Sequence, residues 1–283
     1  MVRTLVRPVH LDRPPETRPL FFYHVEKTGG TTLDWVLRAV LYDVARRRGG
    51  RWLALYVHRD PEAARKPGPR GNVFLYSGHV PYGRHLAGAP DSLAITLLRD
   101  PVRRTLSEYV MGAQFGWYEA TADAFLRFID DPIAANRQTH RLAGLDERTP
   151  PDRAALETAK RNLAEGCFLF APLSGLDRFI KALLSLYGLP AVLFPAAQVG
   201  SYDRETFARG FRDRLRANAA LDAELYACAE SLFEARIGPF LDGPDATDGR
   251  TVVVPPNFFA NFRQYAEPEI CALDRIPEDA RVV

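Results

Sequence analysis

Cysteine is scarce in this chain: three among 283 residues, Cys167, Cys228 and Cys271, an odd number at wide spacing. That rules against a disulfide framework and a four-ligand zinc pattern, and it points to a reducing compartment. An excess of charge is equally lacking. Lys and Arg total 37 against 35 Asp and Glu, a net of +2, too little for general affinity for nucleic acid. Local basic groups such as Arg46-Arg47-Arg48, Arg103-Arg104 and Arg212, Arg214 and Arg216 read first as solvated helix faces. No apolar run approaches the ~20 residues that cross a bilayer, and the N-terminus lacks the apolar centre of a secretion signal. There is no internal repeat, no low-complexity tract and no His/Asp/Glu cluster at metal-ligand spacing. The expectation is a soluble, cytoplasmic protein with no nucleic-acid partner, no membrane span and no metal.

What is present is an ordinary globular composition, 47% apolar and 25% charged, long enough to bury a full core. Its organising stretch is Phe21-Phe22-Tyr23-His24-Val25-Glu26-Lys27-Thr28-Gly29-Gly30-Thr31-Thr32-Leu33. The apolar run at 20–25 predicts a strand buried on both faces, with His24 inside it as a core histidine. Two glycines and three threonines then open an amphipathic helix that ends by Gly49-Gly50. Glycines admit close backbone approach, and hydroxyls and unpaired N–H groups at a helix start face an anion, so the turn reads as a phosphate cradle with Lys27 adding a cation.

Further strands are expected at 52–57, 72–77 and 92–98. The last ends at Arg99-Asp100-Pro101, where Asp100 suits an N-cap and Pro101 the first helical position. Helical periodicity follows near 119–130, 151–165, 175–187, 204–217 and 219–236, with short strands at 167–171 and 251–254. Residues 59–71 read as a surface loop, 1–18 as an extended lead-in, and 255–283 as irregular. The predicted fold is α/β: a single domain over 19–242 with a central parallel sheet flanked by helices, a helical C-terminal half, and a C-terminal extension at 243–283.

The cradle does not have the GxxxxGK[ST] order of a nucleotide-hydrolysing P-loop, because Lys27 precedes the glycines, and Asp100 is the only nearby carboxylate for Mg²⁺. Taken with Leu97-Leu98-Arg99-Asp100-Pro101-Val102-Arg103-Arg104-Thr105-Leu106-Ser107-Glu108-Tyr109, the turn resembles the sulfotransferases that use 3′-phosphoadenosine 5′-phosphosulfate (PAPS). It is most similar to the branch of heparan sulfate 2-O- and 6-O-sulfotransferases and their bacterial relatives. Ser77-Gly78-His79-Val80-Pro81-Tyr82-Gly83 is similar to that family's Gly-His segment. Asn136-Arg137-Gln138-Thr139-His140-Arg141-Leu142-Ala143-Gly144, Asn162-Leu163 and the helix of Asp222, Leu225 and Tyr226 follow its bacterial pattern, with His140 where Arg is usual. The resemblance covers roughly 18–240.

It implies a P-loop-like sulfotransferase fold with PAPS as co-substrate. Lys27, Thr28, Gly29, Gly30, Thr31 and Thr32 would hold the 5′-phosphosulfate, and Arg99 and Ser107 the 3′-phosphate. The chemistry agrees. A lysine near the bridging oxygen stabilises charge that appears in the transition state, a guanidinium forks onto phosphate, and a hydroxyl acceptor needs a base. His79 is the expected base. Among the other histidines, His58, His85 and His140 are pocket candidates and His10 lies in the tail; Glu26 and Glu108 are alternative bases. The acceptor is expected to be a saccharide or small metabolite, walled by 112–150 and by tail aromatics including Phe258, Phe259 and Tyr265. Two other readings stay open at this point: a nucleotide-dependent kinase, and a non-catalytic module that binds PAPS or a sulfated glycan.

Overall fold

Two short apolar segments, Leu20–Tyr23 and Leu93–Leu98, are buried along their whole length, and the fold is built outward from them. A computed structural model describes residues 3–12, 15–48, 52–58, 72–84, 86, 89–195, 210–246, 250–254, 269–272 and 281–282, with the backbone alone at 42–48, 52–58, 72–73, 269–272 and 281–282. The elements are β1 (Arg3–Val6), β2 (Leu20–Tyr23), α1 (Gly30–Arg48), β3 (Trp52–His58), β4 (Asn72–Gly78), β5 (Leu93–Leu98) and α2 (Pro101–Gln114). They continue with α3 (Ala122–Asp130), α4 (Pro132–Ala135), α5 (Arg137–Leu142), α6 (Arg153–Arg161), β6 (Leu169–Pro172), α7 (Leu176–Leu186), β7 (Ala191–Pro195), α8 (Arg212–Asn218), α9 (Ala220–Ile237), β8 (Arg250–Val253), β9 (Glu269–Ala272) and β10 (Arg281–Val282). The expected α/β architecture with a central parallel sheet flanked by helices is what is found.

That sheet has the order β3-β4-β2-β5-β6, every neighbour pair parallel. β2 lies at its centre and feeds two cores. Leu20 and Phe22 join α1 and α7 on one face, while Phe21 and Tyr23 join Leu142, Leu156, Leu163 and Leu225 on the other. This double burial is why the strand is apolar at every position. After β2 the chain turns into α1 and on to β3 at one edge; after β5 it turns into α2 and reaches β6 at the other. The carboxyl ends of β2 and β5 thus bound the crevice where strand order reverses, the usual ligand site of open α/β sheets.

A second sheet, β10-β1-β7-β8-β9, is mixed. Arg3–Val6 runs antiparallel to β7 and parallel to β10, and β8 pairs with β9. Val6, Val192, Phe194 and Val252 close the far side of the core that holds α1 and α7. Two sequence expectations are corrected here. The first segment is a paired strand, and the tail expected to be irregular supplies strands at Glu269–Ala272 and Arg281–Val282. The predicted loop at 59–71 and the tail aromatics at 255–268 lie outside the described residues. The other predicted elements appear with shifted ends, although 204–209 of one predicted helix also lies outside. The segment 162–166 leaves α6 as a single π-helical turn.

Candidate active site

The turn after β2 is stiffened from within. Thr28, fully buried, donates its hydroxyl to the Val25 carbonyl at 2.9 Å, and Thr32 N–H donates to the Gly29 carbonyl at 3.1 Å. Lys27 has φ +66, the one non-glycine with positive φ among the described residues, and Gly29 has φ +90. A Cβ on Gly30 would lie 2.2 Å from His24 Cδ2 and 2.8 Å from Phe22 Cζ, so only glycine lets α1 start this close to the strand end. The hydroxyl of Thr28 therefore belongs to the turn. What Gly29, Gly30, Thr31 and Thr32 offer is the N-terminal end of a long helix at the crevice.

β2 ends at Tyr23, so His24 is not the core-strand histidine that the sequence suggests. It is half-buried, stacks on Phe22 at 5.2 Å and faces the His79 ring at 4.4 Å. Burial, reinforced by the neighbouring His79, pushes its pKa down to about 3, so it is neutral near pH 7. The ring Nδ1 of His79 meets the His24 carbonyl. A carbonyl only accepts, so Nδ1 carries the proton and Nε2 is left as the basic nitrogen.

The second predicted motif converges on the first. Asp100 caps α2 by accepting from Arg103 N–H at 2.8 Å, with Pro101 as its first residue. Arg99 Nη1 donates to the Lys27 carbonyl at 3.0 Å. Lys27 Nζ lies 3.2 Å from Met111 Sδ, and Ser107, one turn before Met111 on the same stripe of α2, is 6% exposed. Lys27 and Arg99 are thus in contact although 72 residues separate them.

The alternative bases are otherwise engaged. Glu26 pairs with Arg141 at 2.6 Å. Burial works against its ionisation, but the Arg141 guanidinium outweighs that and holds the carboxyl well below the usual carboxylate range. Glu108 pairs with Arg104 and, at 3.8 Å, with Arg137. His140 is buried, and its Nε2 donates to the Asp146 carbonyl at 2.7 Å; burial lowers its pKa. His10 is exposed near Asp12, 3.9 Å away. The side chain of His58 and all of His85 lie outside the described residues. No group of three or more His, Cys, Asp or Glu among the described residues is arranged to hold a metal ion.

Sequence reasoning named the 136–144 segment without giving it a task. The structure makes it the link between the two motifs. Gln138 bonds both backbone groups of Arg99, Arg141 holds Glu26 beside Lys27, and Tyr82 N–H of the Gly-His segment donates to the Arg141 carbonyl at 2.8 Å. Besides its likeness to a family motif, the segment's signal is an almost wholly polar run that this fold buries: Gln138, Thr139 and His140 are 0% exposed and Arg141 4%.

The sequence matches no protein-family model and no curated protein. Among solved structures it is similar to a sulfotransferase from Alicyclobacillus acidocaldarius, at 18% identity over 77% of this chain and 97% of that one, with a TM-score of 0.40.

Proposed function

We propose that this protein is a sulfotransferase that moves the sulfuryl group of PAPS to a hydroxyl of a saccharide or small metabolite, in the branch of the heparan sulfate 2-O- and 6-O-sulfotransferases and their bacterial relatives. The observation that carries the reading is the Arg99–Lys27 contact. It joins a helix-start cradle for one phosphate to a guanidinium suited to another, as a donor phosphorylated at both ends of its ribose requires. The motif order of the sequence supports the same donor. The unpaired cysteines, Cys167 buried and Cys228 partly so, agree with a cytoplasmic site.

In this reading Gly29 and the first turn of α1, Gly30 to Thr32, receive the 5′-phosphosulfate through N–H groups and hydroxyls. Arg99, with Ser107, holds the 3′-phosphate. His79 Nε2 takes the acceptor proton as the acceptor oxygen bonds to sulfur from the side opposite the bridging oxygen. The bond from sulfur to that oxygen breaks, and 3′-phosphoadenosine 5′-phosphate departs with the electron pair. Lys27 swings its flexible stem from Met111 to the bridging oxygen, where its charge is worth most in the transition state. Neutral His24 supports the His79 ring without adding a competing positive charge.

The test is transfer of labelled sulfate from PAPS across a panel of glycans, phenols, lipids and peptides. Lys27→Ala and His79→Ala are each expected to lower turnover by about a hundredfold or more, with folding intact. Undiminished turnover in both variants rules out the assigned roles.

A further inference from the structure

The Arg99 peptide lies just past the end of β5, where the ladder with β6 stops at Leu98↔Pro172. Backbone groups at such a place ordinarily turn to water and leave the residue free to shift. Here a side chain continues the ladder. Gln138 Oε1 accepts from Arg99 N–H at 2.8 Å, and Gln138 Nε2 donates to the Arg99 carbonyl at 2.9 Å. This two-bond ring fixes the peptide planes on either side of Arg99, and with them the direction of its side chain.

Gln138 is itself fixed. Asp222, 0% exposed near the start of α9, accepts from Gln138 N–H at 3.1 Å, from Gln138 Nε2 at 3.3 Å and from Thr139 N–H at 2.7 Å. Its own N–H donates to Asn136 Oδ1 at 3.1 Å. The carboxamide can face only one way. Reversed, it would set its oxygen against the Arg99 carbonyl and the Asp222 carboxylate, and its NH₂ against the Arg99 N–H. Three donors on one buried carboxyl group make a rigid support, even though burial raises its pKa.

We infer that Gln138 and Asp222 are positioning residues that hold Arg99 ready for a terminal phosphate, and so set the enzyme's preference for a 3′-phosphorylated nucleotide; this rests on the donor reading above. The guanidinium is held at its base by Gln138 and, through Nη1, by the Lys27 carbonyl. Binding then requires little ordering of a long side chain, and the affinity that ordering would otherwise take away is retained. Loosening the base withdraws that benefit first from the 3′-phosphate, because the 5′-phosphate is met by the start of α1, which Gln138 does not touch.

Titration of wild type, Gln138→Met and Asp222→Asn with 3′-phosphoadenosine 5′-phosphate and with adenosine 5′-phosphate tests this. Wild type is expected to prefer the doubly phosphorylated ligand. Gln138→Met, which keeps the length and removes both bonds, is expected to shrink that preference by on the order of tenfold while affinity for adenosine 5′-phosphate moves by less than about twofold. Asp222→Asn keeps the shape and is expected to shift the ratio the same way by less. It decides the matter alone if Gln138→Met does not fold. A ratio unchanged in the folded variants, with both ligands weakened together or neither, overturns the inference and leaves the donor reading standing. A wild type with no preference overturns the donor reading and the inference with it.

Discussion

At the scale of single residues, the cradle is a set of contacts that admit few substitutes. Lys27 adopts φ +66, a conformation that costs a side-chain-bearing residue about 1 kcal/mol and glycine nothing. The Arg99 bond to its carbonyl holds it there. A residue kept in a strained conformation is expected where position matters more than stability. Lys27→Gly is therefore expected to be more stable than Lys27→Ala by about 1 kcal/mol in urea denaturation, and both are expected to lose the proposed sulfuryl transfer. Equal stability would show that the backbone at 27 carries no strain. These features were legible in the sequence to different degrees. Gly30 was visible as a glycine, and its reason, a Cβ 2.2 Å from His24, was not. Asp100 and Pro101 were read correctly as cap and first turn, because capping depends on neighbours three residues away. His24 was misplaced because the apolar run does not reveal that pairing stops at Tyr23.

At the scale of elements, α1 and α2 leave adjacent strands of the sheet, and α5 spans the gap between the turns that precede them. Arg141 of α5 is 4% exposed at its side chain and Glu26 17%, so neither partner has water as a ready substitute. Arg141→Leu leaves the Glu26 carboxylate enclosed without its cation and is expected to destabilise the protein by about 3 kcal/mol. The Glu26→Gln/Arg141→Leu double variant is expected to recover most of that loss, because it removes the uncompensated charge. A loss under about 1 kcal/mol for Arg141→Leu would mean that the pair behaves as an exposed one. None of this link was legible beforehand. The partners lie 115 residues apart for Glu26–Arg141, 39 for Arg99–Gln138 and 83 for Thr139–Asp222. The resemblance marked 136–144 as a motif, but a polar run does not show what it bonds until its partners are known.

At the scale of the whole molecule, α1 and α7 lie between two sheets, and the second sheet is assembled from both ends of the chain. Of that sheet only the strand at 251–254 was legible, as an apolar run; Arg3–Val6, Ala191–Pro195, Glu269–Ala272 and Arg281–Val282 were not. The parallel sheet was legible because its strands are continuous apolar runs with helices between them; the pairing of the mixed one was not. The buried groups also set how the fold responds to acid. His24 titrates near 3 in the folded chain against 6.5 unfolded, so between these values the unfolded chain binds a proton that the folded chain excludes. Stability then falls as pH drops below about 6.5, by up to about 1.4 kcal/mol per pH unit for one proton. Buried His140 acts in the same direction. Glu26, whose carboxyl is held below its ordinary 4.5, adds a loss that begins only below that pH. In melting curves from pH 7 to 4, His24→Asn is expected to flatten the limb from 6.5 downwards, so that the steeper loss begins only below about 4.5, where Glu26 adds its share; a limb unaltered between 6.5 and 4.5 would refute the neutral imidazole. The central claim is that the two motifs form one site for a phosphosulfate donor, and side-by-side incubation of the protein and an acceptor panel with sulfate-labelled PAPS and γ-labelled ATP tests it most directly. Label is expected to reach an acceptor from PAPS and not from ATP, whereas transfer from ATP, or tight binding of PAPS with no transfer to any acceptor, would contradict the account.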